Sequence, residues 1–373
     1  MNIKSSELCR EERAIFELRG IYEQYGYEKY KISKFEEYAL YLENKSFLPS
    51  PEVITFTDKN GRLLALKPDV TLSIAKNARS ASEEPEKLYY NENVFRMPRA
   101  SGEFREIMQL GLEYIGEVDL YAECEVLSLA AKSLEALSET CVLVVSHMGF
   151  VAGLLDECRL TGLQKEKILS CIGSKNSHET ERLCHSFGLE QELCEAISAV
   201  CSLHGSFEET IEKARLYIKN EKMEDSLLLL RDIWQVLKGE FNCLILDFSV
   251  INDLSYYNGL IFQGFIDGVP ATVLSGGRYD ELMRRLGKDS QAIGFAVYTD
   301  QLENMERQRG GYDLDVLLLY DDKAEAEKLS AAVRMLTANG QRVRAQRVKS
   351  DRLSYKQLLR LGEGGLEILE TNA

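Results

Sequence analysis

The chain has 373 residues, of which 45% are hydrophobic, and a formal net charge of −15. This length and composition support a large buried core and predict two or three domains. The apolar runs are strand-sized and the first residues are polar, so we expect neither a membrane span nor a signal peptide. A sequence pI near 5.0 argues against nucleic acid as a partner, because phosphate binding needs clustered Lys and Arg.

The nine cysteines are dispersed singly, without a Cys-x-x-Cys pair. Cys184 and His185 are adjacent, but no second ligand pair accompanies them. We therefore interpret them as residues of a polar helix rather than metal ligands. Dispersed thiols in an odd number are typical of a reducing compartment. These features predict a cytoplasmic protein without a metal or other cofactor.

The first 140 residues alternate helical periodicity with strand-like hairpins. Lys59-Asn-Gly61 supplies a turn between two strand patterns, and Pro68 ends the second of them. In chain order the patterns predict a helix over 7–25, strands over 53–58 and 62–66, a helix over 71–78, strands over 88–95 and 107–115, and a helix over 119–138.

Residues 155–240 predict an inserted helical subdomain, since apolar residues recur there at helical spacing without a strand pattern. Gly276-Gly277 predicts a close turn into the helix that follows it. Around this turn the patterns predict strands over 243–250, 259–265 and 271–274, a helix over 278–286 and a strand over 292–297.

The last segment follows a basic linker at 307–311. It predicts a strand over 315–320, a helix over 324–338, a strand over 342–346, a helix over 355–361 and a strand over 366–369. We expect two domains, a core over 1–308 and a small α/β domain over 309–373. Hairpins dominate the core, which favours an α+β fold with an antiparallel sheet over a Rossmann sheet.

Four groups of segments carry the candidate chemistry. In chain order they are Phe56-Thr-Asp58 with Leu66-Lys-Pro-Asp-Val-Thr71; Val94-Phe-Arg96 with Gly102, Arg105-Glu106 and Gln109-Leu-Gly-Leu-Glu113; Leu254-Ser-Tyr-Tyr257 with Gly259, Phe262 and Gly276-Gly-Arg-Tyr-Asp280; and Ala292-Ile-Gly-Phe-Ala296. Together they resemble the motifs of histidyl-tRNA synthetase, a class II aminoacyl-tRNA synthetase. The resemblance covers nearly the whole chain. It implies a class II sheet flanked by helices, with the last domain resembling a truncated anticodon-binding domain.

The resemblance implies a pocket for free histidine. By position, Asp69, Thr71 and Gln109 would face the α-amino group, and Glu113 and Tyr257 would hold the imidazole nitrogens. A carboxylate and a phenol suit this task, because imidazole presents one N–H donor and one acceptor. Buried polar groups placed in this way reject analogues that leave them unpaired.

The same resemblance implies that several phosphate-facing cations have been lost. The second group of segments resembles motif 2 of the synthetase, and Arg96 stands where motif 2 has an arginine. It would face a phosphate or a carboxylate. Asn252, Gln301 and Glu103 stand where the synthetase has arginines. Removal of one such charge-stabilising donor lowers a rate about 10²- to 10³-fold. We therefore expect no useful activation of histidine by ATP.

Two hypotheses from different classes follow. A branch of this family keeps the synthetase fold without its activity and assembles with the short-form catalytic subunit of ATP phosphoribosyltransferase, at the first step of histidine biosynthesis. Resemblance to this branch implies a non-catalytic regulatory subunit, a homodimer within a larger hetero-oligomer, and free histidine as the effector of feedback inhibition. The alternative is a divergent histidyl-tRNA synthetase or histidine-activating ligase, which would need other cations. A weaker option is a histidine-binding module with another partner.

Overall fold

The structure is a computed structural model that describes residues 10–48, 52–79, 84–97, 102–251, 257–299, 312–322, 324–350, 352–362 and 364–372. The chain divides into two compact units, Met1–Glu303 and Asn304–Ala373. Of the helices in the described part of the chain, none combines the length and the apolar character that a bilayer crossing requires.

The first unit contains twelve of the strands in the described residues. They are β1 (Glu28–Lys29), β2 (Phe35–Glu37), β3 (Thr55–Thr57), β4 (Leu63–Leu66), β5 (Glu86–Arg96), β6 (Arg105–Gly116), β7 (Cys141–His147), β8 (His204–Gly205), β9 (Leu244–Asp247), β10 (Leu260–Ile266), β11 (Leu274–Arg278) and β12 (Gln291–Tyr298). Nine of these strands form one sheet in the order β1-β5-β6-β12-β11-β10-β7-β9-β8. Its neighbours pair antiparallel except β1 with β5 and β7 with β9. The predicted α+β class is confirmed.

The described part of this unit also contains eleven α-helices. They are α1 (Arg10–Gln24), α2 (Tyr38–Glu43), α3 (Thr71–Asn77), α4 (Leu120–Leu137), α5 (Met148–Asp156), α6 (Gly162–Gly173), α7 (Ser177–Ser186), α8 (Gln191–Val200), α9 (Phe207–Arg215), α10 (Glu221–Leu237) and α11 (Asp280–Arg285). The longest of them, α4, begins where Asp119 accepts from the amide of Ala122 at 2.8 Å. It is buried nearly all round, between the sheet strands β7 and β10 and the helices α1 and α10.

The predicted hairpin at residues 53–66 is confirmed as β3 and β4, which form a second small sheet with β2. Its turn is held by Asp58, whose Oδ1 accepts from the amides of Asn60 and Arg62 at 2.8 and 2.9 Å. Gly61 takes a φ of +80°, which favours glycine. After β4 the chain passes through Pro68 into α3, as predicted.

The region predicted as a helical insertion contains the helices α6 to α10. It also contains the short strand β8, which the sequence analysis did not predict and which pairs with β9 at the sheet edge. Strand β7 and helix α5, in residues 141–156, were missed as well. The run Cys141-Val-Leu-Val-Val145 is rich in β-branched residues, so a strand signal was present there.

The prediction of a turn at Gly276-Gly277 was wrong. Both glycines lie inside β11, which pairs with β10 on one side and β12 on the other. A Cβ at Gly276 would stand 2.5 Å from the side chain of Phe295, and one at Gly277 would stand 2.6 Å from the ring of Tyr257. Close packing of the neighbouring backbone and side chains, rather than a turn, therefore requires glycine at both positions.

The second unit is a four-stranded sheet in the order β14-β13-β15-β16 with one helix in the described residues. Its elements are β13 (Leu314–Leu319), α12 (Ala326–Ala338), β14 (Val343–Gln346), β15 (Tyr355–Gly362) and β16 (Gly365–Thr371). The predicted helix at 355–361 was wrong, because this segment is β15. Leu358 and Leu359 are both buried, in clusters on opposite faces of the sheet. Burial on both faces outweighs the helix propensity of Leu, Lys and Arg.

A buried ion pair joins β11 to α4. Arg278 donates to Glu123 Oε1 at 3.0 Å and to Asp280 Oδ2 at 2.9 Å, and Glu123 is 1% exposed. Arg278→Ala would leave the buried carboxylate of Glu123 without the guanidinium that pairs with it. We therefore expect a loss of about 3 kcal/mol in the free energy of unfolding. Chemical denaturation measures it. The control is Arg284→Ala, whose exposed pair with Glu281 is worth about 1 kcal/mol at most. Equal effects of the two substitutions would contradict the assignment.

Candidate ligand-binding site

Five of the predicted site residues come together in the first unit. They lie between β4 and the first residue of α3, at the end of β5 and along β6. On β6, Gln109 and Glu113 are four residues apart and therefore share one face of the strand. We call these five residues the acid cluster: Asp69, Thr71, Arg96, Gln109 and Glu113.

Glu113 lies at the centre of the acid cluster and is 1% exposed. Its Oε1 accepts from the hydroxyl of Thr71 at 2.7 Å, and its Oε2 accepts from the hydroxyl of Tyr279 at 2.6 Å. Burial raises the pKa of Glu113 to about 8, against the two hydrogen bonds, and the charge of Asp69 raises it further. The carboxyl therefore titrates close to neutral pH.

The neighbouring strand makes room for this carboxyl. Gly294 on β12 pairs with Glu113 on β6. A Cβ at Gly294 would collide with Oε2 of Glu113, so any side chain there would displace the carboxyl. The sequence analysis included Gly294 only as part of the segment Ala292-Ile-Gly-Phe-Ala296. In the structure, its lack of a side chain leaves room for the carboxyl of Glu113.

Asp69 and Arg96 form the second half of the acid cluster. Asp69 Oδ1 accepts from the amide of Leu72 at 2.7 Å, at the start of α3, and its Oδ2 lies 3.4 Å from Nη2 of Arg96. Burial raises the pKa of Asp69, although the charge of Arg96 opposes the shift. Arg96 also donates through Nε to the carbonyl of Pro68 at 2.6 Å. With its amide oriented to satisfy both groups, Gln109 accepts from Nη1 and Nη2 of Arg96 at 3.2 and 3.3 Å.

A buried lysine supports the same segment. Lys67, immediately before Pro68, has a fully buried side chain, and its ammonium lies 3.0 Å from Oε2 of Glu92 on β5. Burial lowers the pKa of Lys67. The ion pair therefore fixes the chain just before Asp69, and the charge of Lys67 also opposes the rise in the pKa of Asp69.

Three tyrosines adjoin the acid cluster, and the sequence analysis assigned a role to one of them. Tyr257 is half-buried, and burial raises its pKa well above the usual value, with the charges of Glu113 and Asp69 among the further causes. Tyr90 is buried and its pKa is raised in the same way. Tyr279 donates a hydrogen bond to Glu113, which is 166 residues away in the sequence. Tyr279 belongs to the segment Gly276-Gly-Arg-Tyr-Asp280, but the spacing of that segment did not indicate this bond.

The structure describes one of the three positions at which the synthetase has arginines and this chain does not. Glu103 is exposed in the loop before β6. Asn252 and Gln301 lie outside the described residues. Arg96 is described, and it is the cation that bonds to the cluster's acids in the part of the chain the structure describes. No group of three or more His, Cys, Asp or Glu side chains that could hold a metal ion occurs among the described residues.

Similarity to known proteins shows the family of this chain. The family model of histidyl-tRNA synthetase matches residues 2–302. An ATP phosphoribosyltransferase regulatory subunit from Clostridium acetobutylicum is 30% identical over 341 residues, which cover 87% of this chain and 83% of that protein. The chain belongs to the histidyl-tRNA synthetase family, in its branch of ATP phosphoribosyltransferase regulatory subunits.

Solved structures share the fold. A protein from Bacillus halodurans C, described as an ATP phosphoribosyltransferase regulatory subunit/histidyl-tRNA synthetase, superposes with a TM-score of 0.73 at 24% identity and covers 96% of each chain. A chain of the ATP phosphoribosyl transferase (HisG:HisZ) complex from Thermotoga maritima gives a TM-score of 0.61 at 19% identity, over 78% of this chain and 97% of that one. These likenesses confirm the predicted class II synthetase fold.

The raised pKa of Glu113 links stability to pH. The folded state binds this proton more tightly than the unfolded state, so the stabilisation is complete below about pH 4.5 and is lost as pH rises through about 8. Glu113→Gln keeps the shape without the charge. We expect the free energy of unfolding of this variant, relative to that of the wild type, to rise between about pH 5 and pH 9, because one pKa unit corresponds to about 1.4 kcal/mol.

Calorimetric melting of both proteins across this range measures the difference. Glu117→Gln is the control, because Glu117 is exposed just after β6. A difference for Glu113→Gln that does not change with pH would contradict the assigned titration.

Proposed function

We propose that this chain is a regulatory subunit of ATP phosphoribosyltransferase, that it catalyses no reaction of its own, and that it acts by binding the short-form catalytic subunit. Membership of the regulatory-subunit branch carries the proposal. The acid cluster supports it, because the chemistry of amino-acid activation needs fixed cations around the phosphates of ATP.

The charges of the acid cluster favour binding over catalysis. Arg96, the cation bonded to the cluster in the described residues, already donates to Asp69, Pro68 and Gln109. Glu103 presents a carboxylate where the resemblance expects an arginine, and a carboxylate repels phosphates. Asn252 and Gln301 would each remove a further cation. Loss of one such donor lowers a rate about 10²- to 10³-fold.

The same cluster supports free histidine as the ligand. Glu113, with Tyr257 near it, would bind the imidazole ring, and Asp69 with Gln109 would bind the ammonium group. A ligand that prefers one assembly state of the hetero-oligomer over another would shift their populations and so inhibit at a distance. Binding of histidine by these residues stays a prediction.

Residues 31–36 resemble motif 1 of the synthetase, which implies a dimer in this family. The proposed homodimer would use the small sheet of β2, β3 and β4, which includes part of this segment. Phe35 and Phe56 contact each other edge to face at 5.6 Å between ring centroids. They are 47% and 39% exposed. An exposed apolar group of this kind is typical of a surface that another chain covers. Ser33 stands where the resemblance expects a proline.

The decisive experiment mixes the purified chain with a short-form catalytic subunit and follows phosphoribosyl-ATP formation. We expect the chain to increase the rate of the catalytic subunit and to sediment with it as a hetero-oligomer, and to sediment as a dimer when alone. Exchange of pyrophosphate into ATP, with histidine present, should stay at the background rate. Exchange by the chain alone would instead favour the divergent ligase, and activation of no catalytic subunit would contradict the proposal.

Histidine binding should depend on pH with a maximum. The complex holds one proton between Glu113 and the imidazole ring. Below about pH 6.5 both free groups carry a proton and one must leave; above about pH 8 neither carries one and one must be taken up. Affinity should therefore fall up to tenfold per pH unit on either side of this window.

Isothermal titration calorimetry between about pH 5.5 and pH 9.5 tests this dependence. Glu113→Gln should weaken binding and lessen the fall on the alkaline side, since its amide has no proton to lose. An affinity that is constant over the whole range would show that Glu113 does not contact the ring.

A further inference from the structure

Two cysteines lie where the helical insertion joins the large sheet. Strands β7 and β9 pair in parallel, and the chain between them contains α5 and the insertion helices α6 to α10. Cys141 is the first residue of β7, and Cys243 immediately precedes the first residue of β9. The two cysteines therefore flank the whole insertion in sequence and lie on neighbouring strands at its base.

The strand register brings the two cysteines within the range of a disulfide. Leu143 lies opposite Leu244, and the amide of Leu143 donates to the carbonyl of Cys243 at 2.7 Å. Cys243 is thus one step along the ladder from the position opposite Cys141. A strand spacing of about 4.8 Å and a rise of about 3.3 Å per residue give a Cα separation of about 6 Å. Disulfides usually join Cα atoms that are about 5.5–6 Å apart.

The two side chains turn towards each other. Alternation along a strand would place them on opposite faces of the sheet, but Cys243 lies before β9 begins, so this alternation does not constrain it. The two thiols form a hydrogen bond, and the charge of Glu135 on α4 acts on both of them. Both cysteines are free thiols in the structure. The pair therefore has the placement of a disulfide in its reduced form.

The two thiols differ in their access to solvent. Cys141 is partly exposed, whereas Cys243 is 7% exposed. Burial raises the pKa of both thiols, that of Cys243 to about 12, and the hydrogen bond from Cys243 opposes the rise for Cys141. A reagent from solution therefore reaches Cys141 first. Because the thiolate is the reactive form, the raised pKa values make this reaction slow at neutral pH.

We propose that Cys141 and Cys243 are a redox site that closes the base of the insertion with a reversible disulfide, and that the co-reactant is a low-molecular-weight disulfide. The thiolate of Cys141 attacks one sulfur of that disulfide, which forms a mixed disulfide and releases the first small thiolate. The thiolate of Cys243 then attacks the sulfur of Cys141 and releases the second. The two cysteines lose two electrons and two protons, and the small disulfide is reduced to two thiols.

The disulfide would restrain the insertion. It closes a loop of roughly 100 residues, and a cross-link over so long a loop removes much of the freedom of the unfolded chain. In a reducing compartment the pair stays as thiols, and it closes when the fraction of small disulfide rises. The stability of the first unit then depends on the redox state of its surroundings. This device is independent of the proposed regulatory function.

The test incubates the folded, full-length chain in glutathione buffers that range from fully reduced to fully oxidised. We expect the oxidised chain to lose about 2 Da, the mass of two hydrogens, and peptide mapping to join Cys141 to Cys243. The melting temperature should rise by about 5 °C. Dithiothreitol should reverse both changes. If Cys141 and Cys243 remain open to alkylation in the oxidised buffer, the proposal is overturned.

Substitutions identify the pair. Cys141→Ser should abolish the rise in melting temperature on oxidation, and Cys243→Ser should do the same. The control is Cys184→Ser: the thiols of Cys184 and Cys194 also share a hydrogen bond, but both residues are 0% exposed, so this variant should keep the full rise. If Cys243→Ser does not fold, Cys141→Ser, at the partly exposed position, still decides. A rise that persists in Cys141→Ser, or a link that maps to Cys184 and Cys194, would overturn the proposal.

Discussion

The site depends on the carboxyl of Glu113, which is buried between two hydroxyls and opposite a glycine. Thr71 at the start of α3 and Tyr279 at the start of α11 each hold one oxygen, and Gly294 on β12 leaves the space. Three elements distant in the chain must therefore be placed correctly before this one group is satisfied. Because a buried carboxyl without partners is strongly destabilising, the fold and the site constrain each other.

Much of the site could be predicted from the sequence, because its residues follow quoted motifs in order. Asp69, Arg96 and Glu113 were placed together by the resemblance, and they do meet in the acid cluster. The sequence did not reveal that Thr71 bonds to Glu113, since the resemblance assigned it to the ammonium end of the ligand. Nor did it reveal the role of Tyr279, because a tertiary hydrogen bond leaves no local periodicity.

The fold was predictable where one periodicity was undisturbed and was missed where burial overrode it. The hairpin of β3 and β4 has alternation and a Gly turn, and both signals agree. In β15, neighbouring Leu358 and Leu359 are buried on opposite faces, so the pattern has no polar side and resembles a helix. At Gly276 and Gly277 the local sequence predicted a turn. The glycines are instead required by tertiary packing, because aromatic rings lie against them.

Recognition and catalysis make different demands on the same charges. Binding needs groups that fit the ligand in its ground state, and under the proposed function the acid cluster would supply these to an imidazole and an ammonium. Catalysis needs further charges that act on the transition state alone. A chain can therefore lose the cations that stabilise a reacting phosphate and keep almost all of its ligand contacts. The free energy of ligand binding then remains available to shift assembly equilibria, which is what a regulatory subunit requires.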